Sequence, residues 1–226
     1  MQNAELSLAD RAYGLLRKDL LAGEFAPGQP LRLGALKDRY DLSFSPIREA
    51  LTRLAAEKLV VLSSLRGFRV AEISLSEMWD VISTRILIES EALRQSIANG
   101  DESWEAEVVG TYHALTRSNE RTDPDLLAVE KIEHHHMAFH NALIRACGSP
   151  SLLHIAHQLY TQSERYRRPT LIGLGKSDIV ERDVMAEHRE IMEHTVARNT
   201  DAAVAFLALH YRRTGKSIEA ILLARE

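Results

Sequence analysis

Apolar residues recur at three- and four-residue spacing along most of the chain, the period of helices that bury one face. Leu8, Ala12, Leu15, Leu16 and Leu20 predict a helix over Leu8–Ala22 that stops at Gly23. Gly23-Glu24-Phe25-Ala26-Pro27-Gly28 follows as a turn punctuated by Pro and Gly. A short helix is predicted over Leu33–Tyr40, then a tight connection through Asp41-Leu42-Ser43-Phe44. The next helix is expected to begin at Ser45-Pro46, a preferred cap ahead of a residue preorganised for the first helical position. It runs to about Lys58, with Ile47, Ala50, Leu51 and Leu54 on one face. The pattern then changes. Leu59–Leu62 and Phe68–Ala71 are β-prone runs around Ser63-Ser64-Leu65-Arg66-Gly67, which predicts a hairpin with its tip near Arg66-Gly67. A lone hairpin is marginal in water, so it is expected to pack on the helices before it.

Ser74-Leu75-Ser76-Glu77 matches a capping box and opens a long helix through Ile97, ended by Asn99-Gly100-Asp101. The remainder is expected to be all-helical, with starts signalled by Asp123-Pro124, Ser149-Pro150 and Asp201. Arg168–Ser177, with one Pro and two Gly, is expected to be a long loop. The expected fold is mainly α: an N-terminal part over residues 1–73 and an all-helical bundle over 74–226, joined at Ala71–Ser76.

The 226 residues, 45% hydrophobic and 27% charged, are those of a folded globular chain rather than a disordered one. No run approaches the ~18 apolar residues of a membrane span, and Met1–Asp10 lacks the pattern of an export signal. The single cysteine, Cys147, fits a reducing cytoplasm and excludes a Cys-only zinc site. Residues 1–73 carry 11 Lys+Arg and 9 Asp+Glu, leaving 17 and 23 of the totals 28 and 32 for the rest. A mildly basic head thus precedes an acidic body, two parts with different expected partners.

Helix, short helix, tight turn, helix and hairpin is the order of a winged helix-turn-helix, in which the helix after the turn enters the major groove. Ser43, Phe44, Ser45, Ile47 and Arg48 are then the candidate base-reading residues, with Arg39 for phosphate. Arg66 and Gly67 at the hairpin tip would meet a minor groove or phosphates. The alternative is a small helical bundle with a stray hairpin. Gly23-x-Phe25-x-Pro27-Gly28, Leu36, Ser43-x-x-Pro46-Ile47-Arg48-Glu49-Ala50-Leu51, Leu54-x-x-Glu57-x-Leu59-Val60 and Arg66-Gly67-x-x-Val70 resemble the DNA-binding domain of GntR-family transcription regulators. The resemblance implies a homodimer on a palindromic operator in double-stranded DNA. Phe44 stands where the family often has Arg; it can touch a thymine methyl but cannot make the bidentate contact to guanine.

The body's chemistry lies in its histidines, for the chain has 10. His136 and His140 share one face of a predicted helix with Ile132, Phe139 and Leu143, and such a pair can chelate a metal without bending the helix. His188 sits among Val184, Ile191 and Thr195, and His210 follows Phe206 and Leu209. Four inward imidazoles from three helices could meet in a bundle core; the alternative is the more usual one, that each is a satisfied core residue or lines a pocket. His154 and His157 form a rival pair without an obvious third ligand, and His134 and His135 fall on other faces.

Phe139-His140, Glu187-His188-x-x-Ile191 and His210 resemble the all-helical FCD effector domain of the FadR-type branch of GntR regulators. In its metal-binding members an Asp stands four residues before the first His; here that position is His136. The resemblance therefore implies the ligand set His136, His140, His188 and His210 around a divalent transition metal. All-nitrogen donors suit Zn²⁺, with Ni²⁺ or Co²⁺ as further fits. A small carboxylate effector would complete the coordination, and replacing Asp by His leaves more of the cation's charge for it. In this family an Arg near the position of Arg85 often faces the effector; the alternative for Arg85 is an intrahelical pair with Glu89. The His-x-x-Phe-His variant, Trp104-Glu105-Ala106-Glu107 and Ala146-Cys147-Gly148-Ser149 are most similar to carbon-starvation-induced repressors of short dicarboxylate (glutarate-type) catabolism. The expectation is a ligand-controlled repressor and no enzyme. Two rivals remain: a regulator for which the metal itself is the signal, and a zinc hydrolase with Glu133 as base, which lacks a His-Glu-x-x-His helix.

Overall fold

The computed structural model describes residues 7–64, 66–120, 126–173 and 182–224. It resolves into two units. The first comprises Met1–Ser74 with Glu164–Pro169, the second Leu75–Ser163 with Thr170–Glu226.

In the first unit α1 spans Leu8–Ala22, α2 Leu33–Tyr40 and α3 Phe44–Ala56, followed by strands β1 Val60–Ser63 and β2 Gly67–Val70. The Ser7 hydroxyl accepts from the Asp10 N–H at 3.0 Å to open α1, and Gly23 closes it in the left-handed conformation at φ 80°. Asp41 ends α2 at φ 51°, so the chain reverses into α3 within three residues. The start of α3 differs from expectation. Ser43, not Ser45, occupies the cap position, and Pro46 sits in the third helical position. Proline is tolerated there because first-turn N–H groups have no intrahelical partner to lose. Ala12, Leu16, Ile47, Ala50, Leu51 and Leu54 are wholly buried between α1 and α3. The hairpin pairs Val60 with Val70 and Ser63 with Gly67, shifted by one residue from the predicted runs. The segment before α2 also pairs with it: Pro30 bridges to Arg69, Leu31 N–H donates to Phe68 O at 2.9 Å and Val70 N–H to Gln29 O at 3.0 Å. The turn after α1 thereby covers one edge of the wing. Arg17 pairs with Glu164 and Arg165 donates to the Lys58 carbonyl, which places that short stretch with this unit.

In the second unit α4 spans Leu75–Asn99, α5 Glu102–Asn119, α6 Leu126–Ile144, α7 Pro150–Gly173, α8 Val184–Val196 and α9 Thr200–Leu223. Leu93, Leu115, Phe139, Leu143, Ile191 and Leu207 are among its fully buried side chains. Ser149 caps α7 ahead of Pro150 as expected, its hydroxyl accepting from the Leu152 N–H at 3.3 Å. The predicted Asp123-Pro124 start lies outside the described residues. Asp201 is not the cap of α9; Asn199 is, and Asp201 lies in the first turn, bonded to Arg94 at 3.0 Å. The predicted loop at Arg168–Ser177 is helical as far as Gly173, and its remaining residues lie outside the described ones. Ala156, Tyr160, Ser163 and Tyr166 are buried at helical spacing, and that packing overrides the local break signals.

Asp101 both follows α4 and caps α5, accepting from the Trp104 N–H at 2.9 Å, and the buried Trp104 donates its Nε1–H to the Ala142 carbonyl at 2.7 Å. This indole fixes the junction. A Cβ at Gly100 would lie 2.1 Å from the Trp104 ring and 2.8 Å from the Ser96 carbonyl. Gly100→Ala reduces the freedom of the unfolded chain, a gain of about 0.4–1 kcal/mol, but overpacking costs about 1–3 kcal/mol. The clash wins because the indole is held at both ends. Urea denaturation of Gly100→Ala is expected to show net destabilisation of about 1–2 kcal/mol.

Candidate functional site

The first unit presents one polar edge. Ser43, Phe44, Ser45 and Arg48 are exposed on the first turns of α3, with Phe44 half exposed beneath the Lys37 ammonium at 5.4 Å. Ile47 corrects the expectation for that turn: it is wholly buried in the core and reaches no base. Arg66 and Gly67 are exposed at the hairpin turn, where Gly67 takes φ 70°. A side chain is disfavoured at that backbone conformation, which explains the glycine. Arg39 is braced rather than free-standing, bonded to Asp19 at 2.7 Å and Glu24 at 3.2 Å and lying over the Phe25 and Tyr40 rings.

The second unit brings together the four histidines singled out from the sequence. One ring nitrogen from each of His136, His140, His188 and His210 lies within 4.8 Å of the others. Their exposures are 9%, 2%, 1% and 3%. Helical geometry explains the pair on α6: positions four apart stack, and the two ring centroids are 4.5 Å apart. His188 on α8 and His210 on α9 form a second pair, also at 4.5 Å. The rival histidines do not join them. His134, His154 and His157 are exposed, and His135 is half-buried against His134.

His136, His140 and His210 are gripped from outside the cluster. His136 Nδ1 lies 3.1 Å from the Tyr160 hydroxyl, His140 Nδ1 3.0 Å from the Tyr211 hydroxyl, and His210 Nδ1 2.9 Å from Glu187 Oε2. Metal-ligating histidines ordinarily have such a partner on the second nitrogen, which fixes the tautomer and the ring plane. Burial drives the His210 pKa down to about 4; Glu187 opposes this and Arg182 reinforces it. The ring is therefore neutral, the form that donates a lone pair. Burial by itself would raise the Glu187 carboxyl, but hydrogen bonds from Arg182 and His210 hold it well below the usual carboxylate range. Arg182 Nε donates to Glu187 at 2.9 Å and Arg213 Nη1 at 3.1 Å, so this carboxylate is held on three sides. Arg182 Nη2 also lies 3.2 Å from His210 Nδ1, but two N–H donors cannot bond each other. The carboxylate accepts the hydrogen bond of the imidazole Nδ1–H, and Arg182 Nη2 donates to the His210 carbonyl and Thr214 Oγ1, both at 3.1 Å. Four buried ring nitrogens converging within 4.8 Å are a donor set that fits Zn²⁺, Ni²⁺ or Co²⁺.

Arg85 lies beside this cluster, buried, with the alternative partner already in place. Its Nε donates to Glu89 Oε1 at 2.7 Å, Nη1 to Ser163 Oγ at 3.0 Å and Nη2 to the Tyr211 hydroxyl at 3.0 Å. Its guanidinium lies 4.3 Å from the Tyr211 ring centroid and 5.2 Å from that of Tyr160. Sequence reasoning missed Tyr160, Ser163, Arg182 and Tyr211. They come from α7, α9 and the approach to α8, and no local spacing relates them to α6.

The comparisons with known proteins divide the chain in the same order. A model of the GntR family of bacterial regulatory proteins matches residues 8–70, and a model of the FCD domain matches residues 80–213. The HTH-type transcriptional regulator BphR of Paraburkholderia xenovorans is 40% identical over 205 residues, 90% of this chain and 82% of its own. The HTH-type transcriptional repressor GlaR of Escherichia coli is 33% identical, over 88% of this chain and 90% of its own. Among solved structures, E. coli McbR/YncC superposes with a TM-score of 0.76 at 19% identity, covering 95% of this chain and 98% of its own. A GntR regulator from Rhodococcus sp. RHA1 gives 0.72 at 20% identity, covering 94% and 98%.

The depressed His210 pKa makes stability depend on pH. A base whose folded pKa lies below its unfolded value contributes fully above about pH 6.5 and loses that contribution as pH falls toward 4. The metal-free protein is therefore expected to lose on the order of 2–3 kcal/mol across that window in urea titrations. His210→Gln is expected to flatten the profile there, while loss below about pH 4.5 persists through Glu187.

Proposed function

The chain belongs to the GntR family of bacterial regulatory proteins and is a DNA-binding transcription regulator, not an enzyme; from that premise we propose that it is a repressor controlled by a small carboxylate at a metal centre formed by His136, His140, His188 and His210. The single observation that supports the metal is the convergence of four buried ring nitrogens within 4.8 Å. When bound, the cation supplies Lewis-acid attraction for a carboxylate oxygen. The chain's own residues supply the rest. Tyr160, Tyr211 and Glu187 orient His136, His140 and His210, and burial keeps water from competing. With four neutral ligands the full +2 charge remains to attract an anion. A short dicarboxylate of the glutarate type is the proposed effector class. Arg85 is already engaged by Glu89, so a second anionic group would share that guanidinium with an internal carboxylate.

DNA contact is assigned to α3 and the wing. Arg48 and Phe44 would face base edges, Ser43 and Ser45 would reach base edges or phosphate, and Arg66 at the Gly67 turn would meet phosphates or the minor groove. Arg39, braced by Asp19 and Glu24, would contribute to phosphate binding only while sharing those carboxylates. Two such heads in a homodimer would read the halves of a palindrome, and the effector would act by favouring one arrangement of the heads over another.

Fluorescence anisotropy on an operator duplex selected from random sequence tests this. With Zn²⁺ present, glutarate is expected to weaken binding about 5- to 150-fold, the range of ordinary coupling energies, and to do nothing after chelation. No response to any short dicarboxylate in the presence of metal would contradict the effector assignment; a change on chelation alone would make the metal the signal. Arg48→Ala is expected to cost about 1–3 kcal/mol of operator affinity and to relax sequence preference at one position.

A further inference from the structure

The Tyr211 hydroxyl touches three groups: Glu89 Oε2 at 2.5 Å, Arg85 Nη2 at 3.0 Å and His140 Nδ1 at 3.0 Å. A phenol has one proton to give and two lone pairs with which to accept. The buried Glu89 is the counter-ion of Arg85, with Nε at 2.7 Å from Oε1, and a carboxylate only accepts. It accepts the hydrogen bond that the Tyr211 O–H donates. A guanidinium only donates, so Arg85 fills one lone pair of the phenol oxygen. What remains toward His140 is an acceptor. His140 Nδ1 must then carry its ring proton, and the lone pair of the neutral imidazole belongs to Nε2.

We infer that Glu89, acting through the Tyr211 hydroxyl, is a positioning residue for His140: it fixes the imidazole proton on Nδ1 and makes Nε2 the nitrogen offered to a metal. This rests on the metal assignment above and deepens it. The same logic operates with one link fewer at His210, where the Glu187 carboxylate accepts directly from Nδ1. The two α4 residues Arg85 and Glu89 thereby act on a histidine of α6 through a tyrosine of α9. Their pairing is more than an intrahelical bridge: without Arg85, one phenol lone pair is left over, and without Glu89, the phenol proton is free to turn to His140.

The test uses the full chain, metal-free and labelled with ¹⁵N-histidine. Long-range ¹H–¹⁵N correlation is expected to show His140 protonated on Nδ1, and Tyr211→Phe is expected to shift it to a mixture or to the Nε2–H form. Competition with a chromophoric chelator should show Zn²⁺ affinity falling 10- to 100-fold, on the order of second-partner losses at metal sites. Glu89→Gln keeps the phenol but supplies an amide that can donate, and the same tautomer shift is expected. Circular dichroism reports whether that variant folds, and Tyr211→Phe, which retains the buried ring, carries the test by itself if it does not. An Nε2–H tautomer in the unaltered protein, or unchanged tautomer and affinity in Tyr211→Phe, overturns the inference. Failure of the unaltered chain to bind Zn²⁺ overturns the metal assignment instead, while the tautomer measurement still decides the role of Glu89.

Discussion

Imidazoles packed at one point in a helical core depend on partners from outside the cluster to set their ring planes. A histidine has two nitrogens, and whichever faces the centre, the other must find a partner or remain buried at a cost of a few kcal/mol. The second unit meets this demand for His136, His140 and His210 with long-range pairs to Tyr160 of α7, Tyr211 of α9 and Glu187 of α8. These contacts require α6, α7, α8 and α9 to be in register simultaneously. The arrangement of the bundle and the integrity of the cluster are therefore one problem.

The charges around the cluster follow the same economy. Arg85 and Glu89 are both nearly inaccessible and neutralise each other, and Arg182 and Arg213 converge on Glu187. A buried ion pair adds little net stability over well-packed apolar residues, while removing one partner is strongly destabilising. Such pairs are better understood by what they orient. Here both carboxylates end, directly or through a phenol, on the Nδ1 of a histidine.

Much of this was legible in the sequence. The helical periods of α1 and α2, the change to a hairpin and the turn residues gave the winged helix-turn-helix order, and i, i+4 spacing placed His136 and His140 on one inward face. His188 and His210 were found because each interrupts an apolar stripe. What failed has local causes. Ser45-Pro46 carries a strong cap signal, yet Asp41 in the left-handed conformation lets the helix begin two residues earlier. The Pro and Gly after Arg168 signal a break, yet the buried stripe of α7 carries the helix to Gly173. Asp101 reads from the sequence as an end of α4 alone, although its side chain also starts α5. Tyr160 and Tyr211, which orient two of the imidazoles, are not legible, because hydrogen bonds between helices such as His140 to Tyr211, 71 positions apart, leave no period in the sequence.

X-ray absorption at the zinc edge reads the ligand shell of the cation itself. The Zn²⁺-loaded protein is expected to show four nitrogen scatterers at about 2.0–2.1 Å with the multiple-scattering pattern of imidazole. Added glutarate is expected to contribute one or two oxygen scatterers while all four imidazoles remain. A shell dominated by oxygen, or by fewer than three imidazoles, would contradict the account.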